Sequence, residues 1–316
     1  MRLRLNAVRY EAERTVSLEL SDPTGQELPE WTPGAHLEIR LPSGLLRHYS
    51  LCGDPADRYS YRVAVLRVVE GRGGSIEIHD RLRVGTLVEV SEPRNHFSLT
   101  DAANYLFVAG GIGITPILTM AEHVAIRRSA NWRLLYAGRS RADMAFLDRA
   151  RSLPNHGLVK LVAGDEDGRA DLAEALASLP PETHIYGCGP PTMLEQLTEL
   201  CGSHRGLVLH TERFSAGAVA PRPSEDNDGF EIELVRTGAV LQVPSHKSVL
   251  EVVREVIPGV DSSCESGFCG TCETKMLGGR ADHRDSLLTE GERIAHTSMM
   301  ICVSRAAAGE RIQLDL

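Results

Sequence analysis

Seven cysteines are spread along 316 residues, and four of them fall into a pattern that could hold a metal. Cys264, Cys269 and Cys272 are spaced Cys-x4-Cys-x2-Cys within the run S-S-C-E-S-G-F-C-G-T-C, and Cys302 follows 30 positions later. Four thiolates in that arrangement match the plant-type ligand set of a [2Fe–2S] cluster, a class whose potential sits near ~−400 mV. Gly267 and Gly270 would let the loop wrap a bulky inorganic core, because they have no Cβ and reach positive φ cheaply. The small Ser263, Ser266 and Thr271 would leave backbone N–H groups free to point at the sulfurs. A structural zinc site is one alternative, but zinc usually recruits two short hooks, whereas here one hook has three cysteines and the fourth stands alone. A disulfide pair is the other. It is disfavoured because the N-terminal stretch has no apolar run of signal-peptide length.

Two further groups of residues suit a phosphorylated, planar ligand. Arg47-His48-Tyr49-Ser50-Leu51 offers a guanidinium for a phosphate, a flat face for a ring and a hydroxyl for a ring nitrogen. About 25 residues on, Gly71-Arg72-Gly73-Gly74-Ser75 reads as a tight turn whose N–H groups form an anion nest, with the Ser75 hydroxyl added. A charged strand end followed by an ordinary glycine-rich hairpin is the plainer alternative. Later, Gly110-Gly111-Ile112-Gly113-Ile114-Thr115-Pro116 joins an apolar strand to a helix, which makes a pyrophosphate seat at a helix N-terminus. The usual G-x-G-x-x-G fingerprint is absent. Tyr186-Gly187-Cys188-Gly189-Pro190-Pro191 again ends a strand and opens a helix, where open α/β sheets bind ligands. Its plainer reading is a pair of tight-turn glycines beside a small buried cysteine.

The elements that must position these residues change character along the chain. Up to about residue 103, short runs at Thr15–Leu20, Ala35–Leu41, Tyr61–Val69 and Thr86–Val90 are separated by Pro33-Gly34, Pro42-Ser43-Gly44 and Gly73-Gly74. Such spacing predicts a small antiparallel β-barrel. From 104 to 214 strands and helices alternate. Strands are expected at Tyr105–Ala109, Trp132–Ala137, Leu158–Ala163, His184–Cys188 and Leu207–Glu212. Helices are expected at Pro116–Arg128, Arg141–Arg151, Ala170–Leu179 and Pro191–Cys201, and the alternation predicts a parallel, doubly wound sheet. Residues 215–228, rich in proline and acidic or polar side chains, read as a tether. The last unit, 229–316, is expected to hold strands at Phe230–Arg236 and Ala239–Val243, a helix at Ser248–Val256 and the cysteine loop.

Composition excludes several function classes. Apolar residues make up 42% and charged residues 24%, as in ordinary globular domains, and the net charge is −9. No basic patch is interleaved with aromatics, which argues against nucleic acid. No stretch of some 18 apolar residues predicts a membrane span. A soluble, cytoplasmic protein is therefore expected, with Cys52, Cys188 and Cys201 as scattered reduced thiols.

In order along the chain, R-x-Y-S-L, G-R-G-G-S, G-G-I-G-I-T-P, Y-x-C-G-P and C-x4-C-x2-C…C resemble the phthalate dioxygenase reductase family, within the ferredoxin–NADP reductase-like superfamily. The resemblance covers essentially the whole chain. It implies FMN on the barrel, NADH on the α/β domain and a C-terminal ferredoxin domain of the β-grasp type that feeds electrons to a Rieske-type oxygenase. By matching motif, Arg47, Tyr49 and Ser50 would hold FMN, with Ser50 near flavin N5, and Gly74 and Ser75 would meet its phosphate. Val65 and Leu66 would flank the isoalloxazine. Gly111, Thr115, Cys188, Gly189 and Pro190 would line the nicotinamide nucleotide. Phe214, in H-T-E-R-F, would cover the flavin or else be a plain core residue. His283-Arg284-Asp285-Ser286 also matches a family stretch, without an evident role.

The expected reaction is hydride transfer from NADH to FMN, then single electrons out through the cluster, with Ser50, Cys188 and Phe214 nearest the chemistry. No triad or acid–base dyad is recognisable, which suits chemistry that resides in cofactors. Arg139-Ser140-Arg141, at a strand end, could clamp a 2′-phosphate and so favours NADPH, whereas the resemblance favours NADH. A cytochrome P450 or a separate carrier is the alternative acceptor, and a non-enzymatic redox sensor is the alternative of a different class. The family suggests a monomer.

Overall fold

A computed structural model describes residues 1–128, 130–154, 158–204, 206–214 and 229–316. They fall into two compact units, Met1–Phe214 and Ser215–Leu316. The expected tether at 215–228 lies outside the described residues. No helix among those described is long and apolar enough to cross a membrane.

The first unit begins with six antiparallel strands in the order Leu46–Ser50, His36–Arg40, Leu87–Val90, Arg2–Ala12, Thr15–Ser21 and Tyr61–Leu66. An antiparallel bridge between Leu51 and Val63, with Cys52 N–H donating to Arg62 O at 2.8 Å, joins the two end strands and closes the barrel. Alternate residues point inward, and Leu3, Leu5, Leu18, Leu20, Leu37 and Ile39 fill the interior. Closure removes exposed edges.

The glycine-rich run corrects one expectation. It makes neither a nest on a turn nor a hairpin: Gly73 takes φ 79° and Gly74–Arg81 is a helix, so the strand that reaches toward it stops at Leu66 rather than Val69. Buried Glu77 anchors that helix across the barrel, accepting from Ser43 N–H at 2.9 Å and from the Ser43 hydroxyl.

Five parallel strands follow, ordered Val208–Glu212, His184–Cys188, Asn104–Gly110, Asn131–Gly138 and Leu158–Ala163. The chain starts on the central strand, winds outward one way, then crosses to the other side. The switch point therefore lies between Asn104–Gly110 and His184–Cys188. One expected helix is broken: Arg141–Asp143 is a single 3₁₀ turn and Leu147–Arg151 a short α-helix. Met144, Ala145 and Phe146 are all buried, so the chain lies flat there, with Phe146 at φ 59° and Tyr136 OH donating to Ala145 O at 3.1 Å. Barrel and sheet are tied together by Glu13 N–H on Ala142 O (2.8 Å), Arg14 on Asp143 (2.7 Å) and Arg149 on Cys52 O (2.7 Å).

The second unit is a mixed five-stranded sheet, ordered Ala239–Val243, Phe230–Leu234, Ile312–Leu314, Glu273–Gly278 and Ser298–Met300. Its first and last strands, Phe230–Leu234 and Ile312–Leu314, run parallel. The helix Val249–Val256 starts at a full capping box of Ser248 and Glu251 and buries Val249, Leu250, Val252 and Val253 against the sheet. A second capped helix, Glu290–Ala295, was not anticipated: it buries no residue, so no apolar periodicity announces it.

Candidate functional site

The two glycine turns meet at the switch point because neither can bear a side chain. A Cβ on Gly113 would lie 2.2 Å from Cys188 O, one on Gly110 would lie 2.5 Å from Pro190 Cδ, and one on Gly189 would lie 2.9 Å from Gly110 Cα. Gly111 sits at φ 54° and opens the 3₁₀ turn that leads into the helix Ile114–Arg127. That helix has no side-chain cap, and its Ile114 N–H is taken by Gly111 O and Ile112 O, so the dipole of its N-terminus is what it offers an anion. Gly111, Gly189 and Pro190 are thus brought together as expected. Thr115 is 2% exposed and its hydroxyl donates to Ile112 O at 3.0 Å, so its side chain can offer a nucleotide only an acceptor.

On the barrel, Arg47 crosses the N-terminus of the helix Gly74–Arg81 and donates to Arg72 O at 2.6 Å. A Cβ on Gly74 would come within 2.3 Å of Arg47 Nε, so glycine is what allows the guanidinium to lie there. A cation across a helix N-terminus suits a phosphate monoester. Ser75 holds the preceding loop, its Oγ accepting from Val68 N–H at 3.1 Å. Tyr49 packs at the edge of the barrel core, and burial pushes its hydroxyl well above the usual phenol range. Val65 departs from expectation: its side chain is wholly inside the barrel and its carbonyl is bonded to His79 Nε2 at 2.9 Å. Any side-chain contact with a ring at this strand falls to the half-buried Leu66.

Between barrel and sheet lies a pair of unsatisfied polar atoms. Ser50 is 4% exposed, and its Oγ is buried without a well-formed hydrogen bond, as is Glu212 Oε2. Burial pushes the Glu212 carboxyl up to about 8, with the neighbouring Ser50 hydroxyl pulling the other way. Ser50 and Glu212 are thus each other's nearest polar partner in a loose contact, and a ligand's polar edge would complete the pairing that buried polar atoms normally have. Glu212 pairs in parallel register with Cys188, whose thiol is raised far above its ordinary value, chiefly by burial and then by the Glu212 charge. Cys188 therefore stands as a neutral, enclosed thiol rather than a thiolate nucleophile. Phe214 is 40% exposed, which argues against the plain-core alternative.

Glu212 was not singled out from the sequence, where it is one letter of H-T-E-R-F. Only strand register, at the end of the strand beside Cys188, could have exposed it. One consequence is a pH effect on stability. The folded chain keeps the Glu212 proton up to about pH 8, while an unfolded chain releases it near 4.5. Across that window the folded state binds more protons, so stability falls as pH rises. In flavin-stripped protein, Glu212→Gln should flatten that decline, read as urea midpoints at pH 5 and pH 8. Parallel profiles for the two proteins would remove the assignment.

In the second unit the four cysteines converge. Cys264 is held well below the ordinary thiol range by hydrogen bonds from the Cys269 and Cys302 thiols, and Cys272 is lowered by a bond from Cys302. Backbone N–H groups of Ser266 and Phe268 point at Cys264 Sγ, both at 3.4 Å, and that of Cys264 at Cys269 Sγ at 3.3 Å. Gly267 and Gly270 take φ 74° and 79°. Among the described residues no set of three or more His, Cys, Asp or Glu is arranged to hold one metal ion. The sulfurs are nonetheless linked to one another, and amides aimed at sulfur are what stabilise a thiolate-bound iron core. The donor set fits a cluster.

At the outer end of the α/β sheet, Arg141 is already paired, 2.7 Å from Glu166 and 3.7 Å from Asp167. Arg139 is exposed, and its carbonyl accepts from Asp165 N–H at 2.9 Å. The expected two-arginine clamp is thus half neutralised by an acidic loop.

Comparison with known proteins gives matches by domain and over the whole chain. Residues 232–307 match the 2Fe-2S iron-sulfur cluster binding domain, and residues 107–199 match the oxidoreductase NAD-binding domain. The chain is 39% identical over its full length to phthalate dioxygenase reductase of Burkholderia cepacia, covering 97% of that protein. The solved structure of phthalate dioxygenase reductase superposes with a TM-score of 0.72 at 38% identity, covering 100% of this chain and 98% of that one. An intact type IV self-sufficient cytochrome P450 monooxygenase superposes with a TM-score of 0.87 at 41% identity, covering 100% of this chain and 41% of the larger protein. With both domains matched and the likeness running the full length of the chain, the protein belongs to the phthalate dioxygenase reductase family of FMN- and [2Fe–2S]-containing oxidoreductases.

Proposed function

We propose that this chain is the reductase component of a Rieske-type oxygenase system, an aromatic dioxygenase or O-demethylase, driven by NADH. When bound, FMN and the cluster supply the conversion of a two-electron hydride into single electrons. The protein's part is alignment. Gly111, Thr115, Gly189 and Pro190 seat the nicotinamide nucleotide. Arg47, Gly74 and Ser75 fix the flavin phosphate end, Tyr49 and Leu66 its ring, and Ser50 its reactive edge, with Phe214 as a cover and Cys188 as packing beneath. The working division is 1–103, 104–214, a tether at 215–228, and 229–316. In this reading the chain is a monomer in the cytoplasm, a compartment that keeps its thiol ligands reduced.

The observation that supports this most is the buried, loosely paired Ser50 and Glu212 beside the strand ends where the strand order of the parallel sheet reverses. A second acceptor, a cytochrome P450, is favoured by the high superposition on a P450-fused protein. The two separate in one anaerobic experiment, in which NADH-reduced protein is mixed with a Rieske oxygenase component or with a bacterial P450. Rapid growth of the reduced Rieske signal with an inert P450 is expected. The reverse pattern would overturn the assignment.

The paired Arg141 supports NADH over NADPH. The double variant Glu166→Ala/Asp167→Ala frees that guanidinium. It should raise kcat/KM for NADPH about tenfold, the size of one charge-assisted hydrogen bond. NADH kinetics should barely move. An unchanged NADPH value would show that Arg141 does not face the ribose.

A further inference from the structure

The stretch His283-Arg284-Asp285-Ser286, left without a role by the reaction, touches both arms of the cysteine set. On one side, Ser286 N–H donates to Gly267 O at 2.9 Å, inside the three-cysteine loop. On the other, Arg284 N–H donates at 3.2 Å to the hydroxyl of Ser304, which is 1% exposed and lies two residues past Cys302. Gly267 is wedged between these arms: a Cβ there would lie 2.7 Å from Val303 Cγ2 and 3.0 Å from Asp285 Cα. The stretch therefore spans the gap between Cys264–Cys272 and Cys302.

What fixes the stretch is the Asp285 carboxyl, whose side chain is fully buried. Its Oδ2 accepts from the N–H groups of Leu287 and Leu288 at 3.1 and 2.9 Å and faces Arg293 Nη2 at 3.4 Å. Arg293 also donates to the carbonyls of Asp285 (2.5 Å), Leu288 (2.9 Å) and His283 (3.3 Å), so one guanidinium staples the whole turn. Asp285 Oδ1 has no hydrogen-bond partner and looks at His283 Nδ1, also unpartnered, 3.8 Å away.

We propose that Asp285 is a positioning residue for the iron–sulfur cluster. Its buried carboxyl sets the turn that clamps Gly267 and Ser304, and so fixes the spacing between the three-cysteine loop and Cys302. The inference rests on the reading that the four cysteines hold the cluster. Its acidic charge also lies beside the ligand loop, where a buried anion disfavours the more negative, reduced state of a cluster.

The test uses full-length protein carrying Asp285→Asn or Ser304→Ala. Readouts are iron per chain, the EPR spectrum of the dithionite-reduced protein and the midpoint potential from a redox titration. NADH–ferricyanide activity reports separately on the first unit. Asp285→Asn should keep a cluster whose potential is shifted positive and whose EPR line shape is altered. Ser304→Ala, which removes only the hydroxyl that receives Arg284 N–H, should alter the line shape with the potential nearly unmoved. If Asp285→Asn loses its iron, the Ser304→Ala spectrum decides. Wild-type EPR spectra and potentials in every variant that retains iron would overturn the proposal. Absence of iron from the wild-type protein would instead sink the cluster assignment itself.

Discussion

Replacing Cys302 with serine is expected to lower NADH-driven cytochrome c reduction by at least about a hundredfold, because changes merely beside a metal ligand already cost 10–100-fold in affinity. Cys302 sits at the junction of the set, sharing hydrogen bonds with both Cys264 and Cys272. Without it the one-electron exit collapses. The first unit has its own three cores, one in the barrel and two about the parallel sheet, and needs nothing from the cysteine loop to fold. NADH–ferricyanide activity, which a small acceptor can draw from the flavin site, should therefore stay within about twofold of wild type, as for substitutions in independent parts of a protein. Measuring both activities on one preparation, with iron content, separates the outcomes. Undiminished cytochrome c reduction would mean that electrons leave by another route.

Ser50→Ala carries the second-largest effect. The hydroxyl is shielded from water and has only a loose contact with the Glu212 carboxyl as a partner. A donor held ready at a reacting edge acts mainly in the transition state, and removing one such donor typically lowers the rate about 10²-fold. The expected pattern is a fall in the rate of NADH-dependent flavin bleaching, with KM for NADH and bound FMN close to wild type. Ser50→Thr, which keeps the hydroxyl, should recover part of the rate. A slow rate that comes with lost FMN would assign Ser50 to binding alone, and an unchanged rate would remove it from the chemistry.

Motifs whose partners are close in sequence were legible. Cys264, Cys269 and Cys272 lie within nine residues, and Gly110–Pro116 is a strand, turn and helix in one stretch. Features assembled from distant segments were not. The helix Gly74–Arg81 depends on Ser43 for its anchor at Glu77, and on Arg47 for the reason its first residue is glycine. The strand Arg2–Ala12 was missed because its second half buries little, and it owes its place to pairing with Thr15–Ser21 and Leu87–Val90. Val65 and Leu66 were indistinguishable as neighbours in an apolar run, since only barrel closure decides which faces inward. Glu212 matters through its parallel register with Cys188 and its nearness to Ser50, relations invisible in a linear reading.

The central claim is that electrons enter at the crevice between barrel and sheet and leave only through the cysteine-bound unit. Anaerobic stopped-flow mixing with NADH, followed at separate flavin and cluster wavelengths, tests it in wild-type and FMN-stripped protein. Flavin bleaching should precede cluster bleaching in the first, and the cluster should stay oxidised in the second until FMN is restored. Cluster reduction by NADH at the wild-type rate in FMN-free protein would contradict the account.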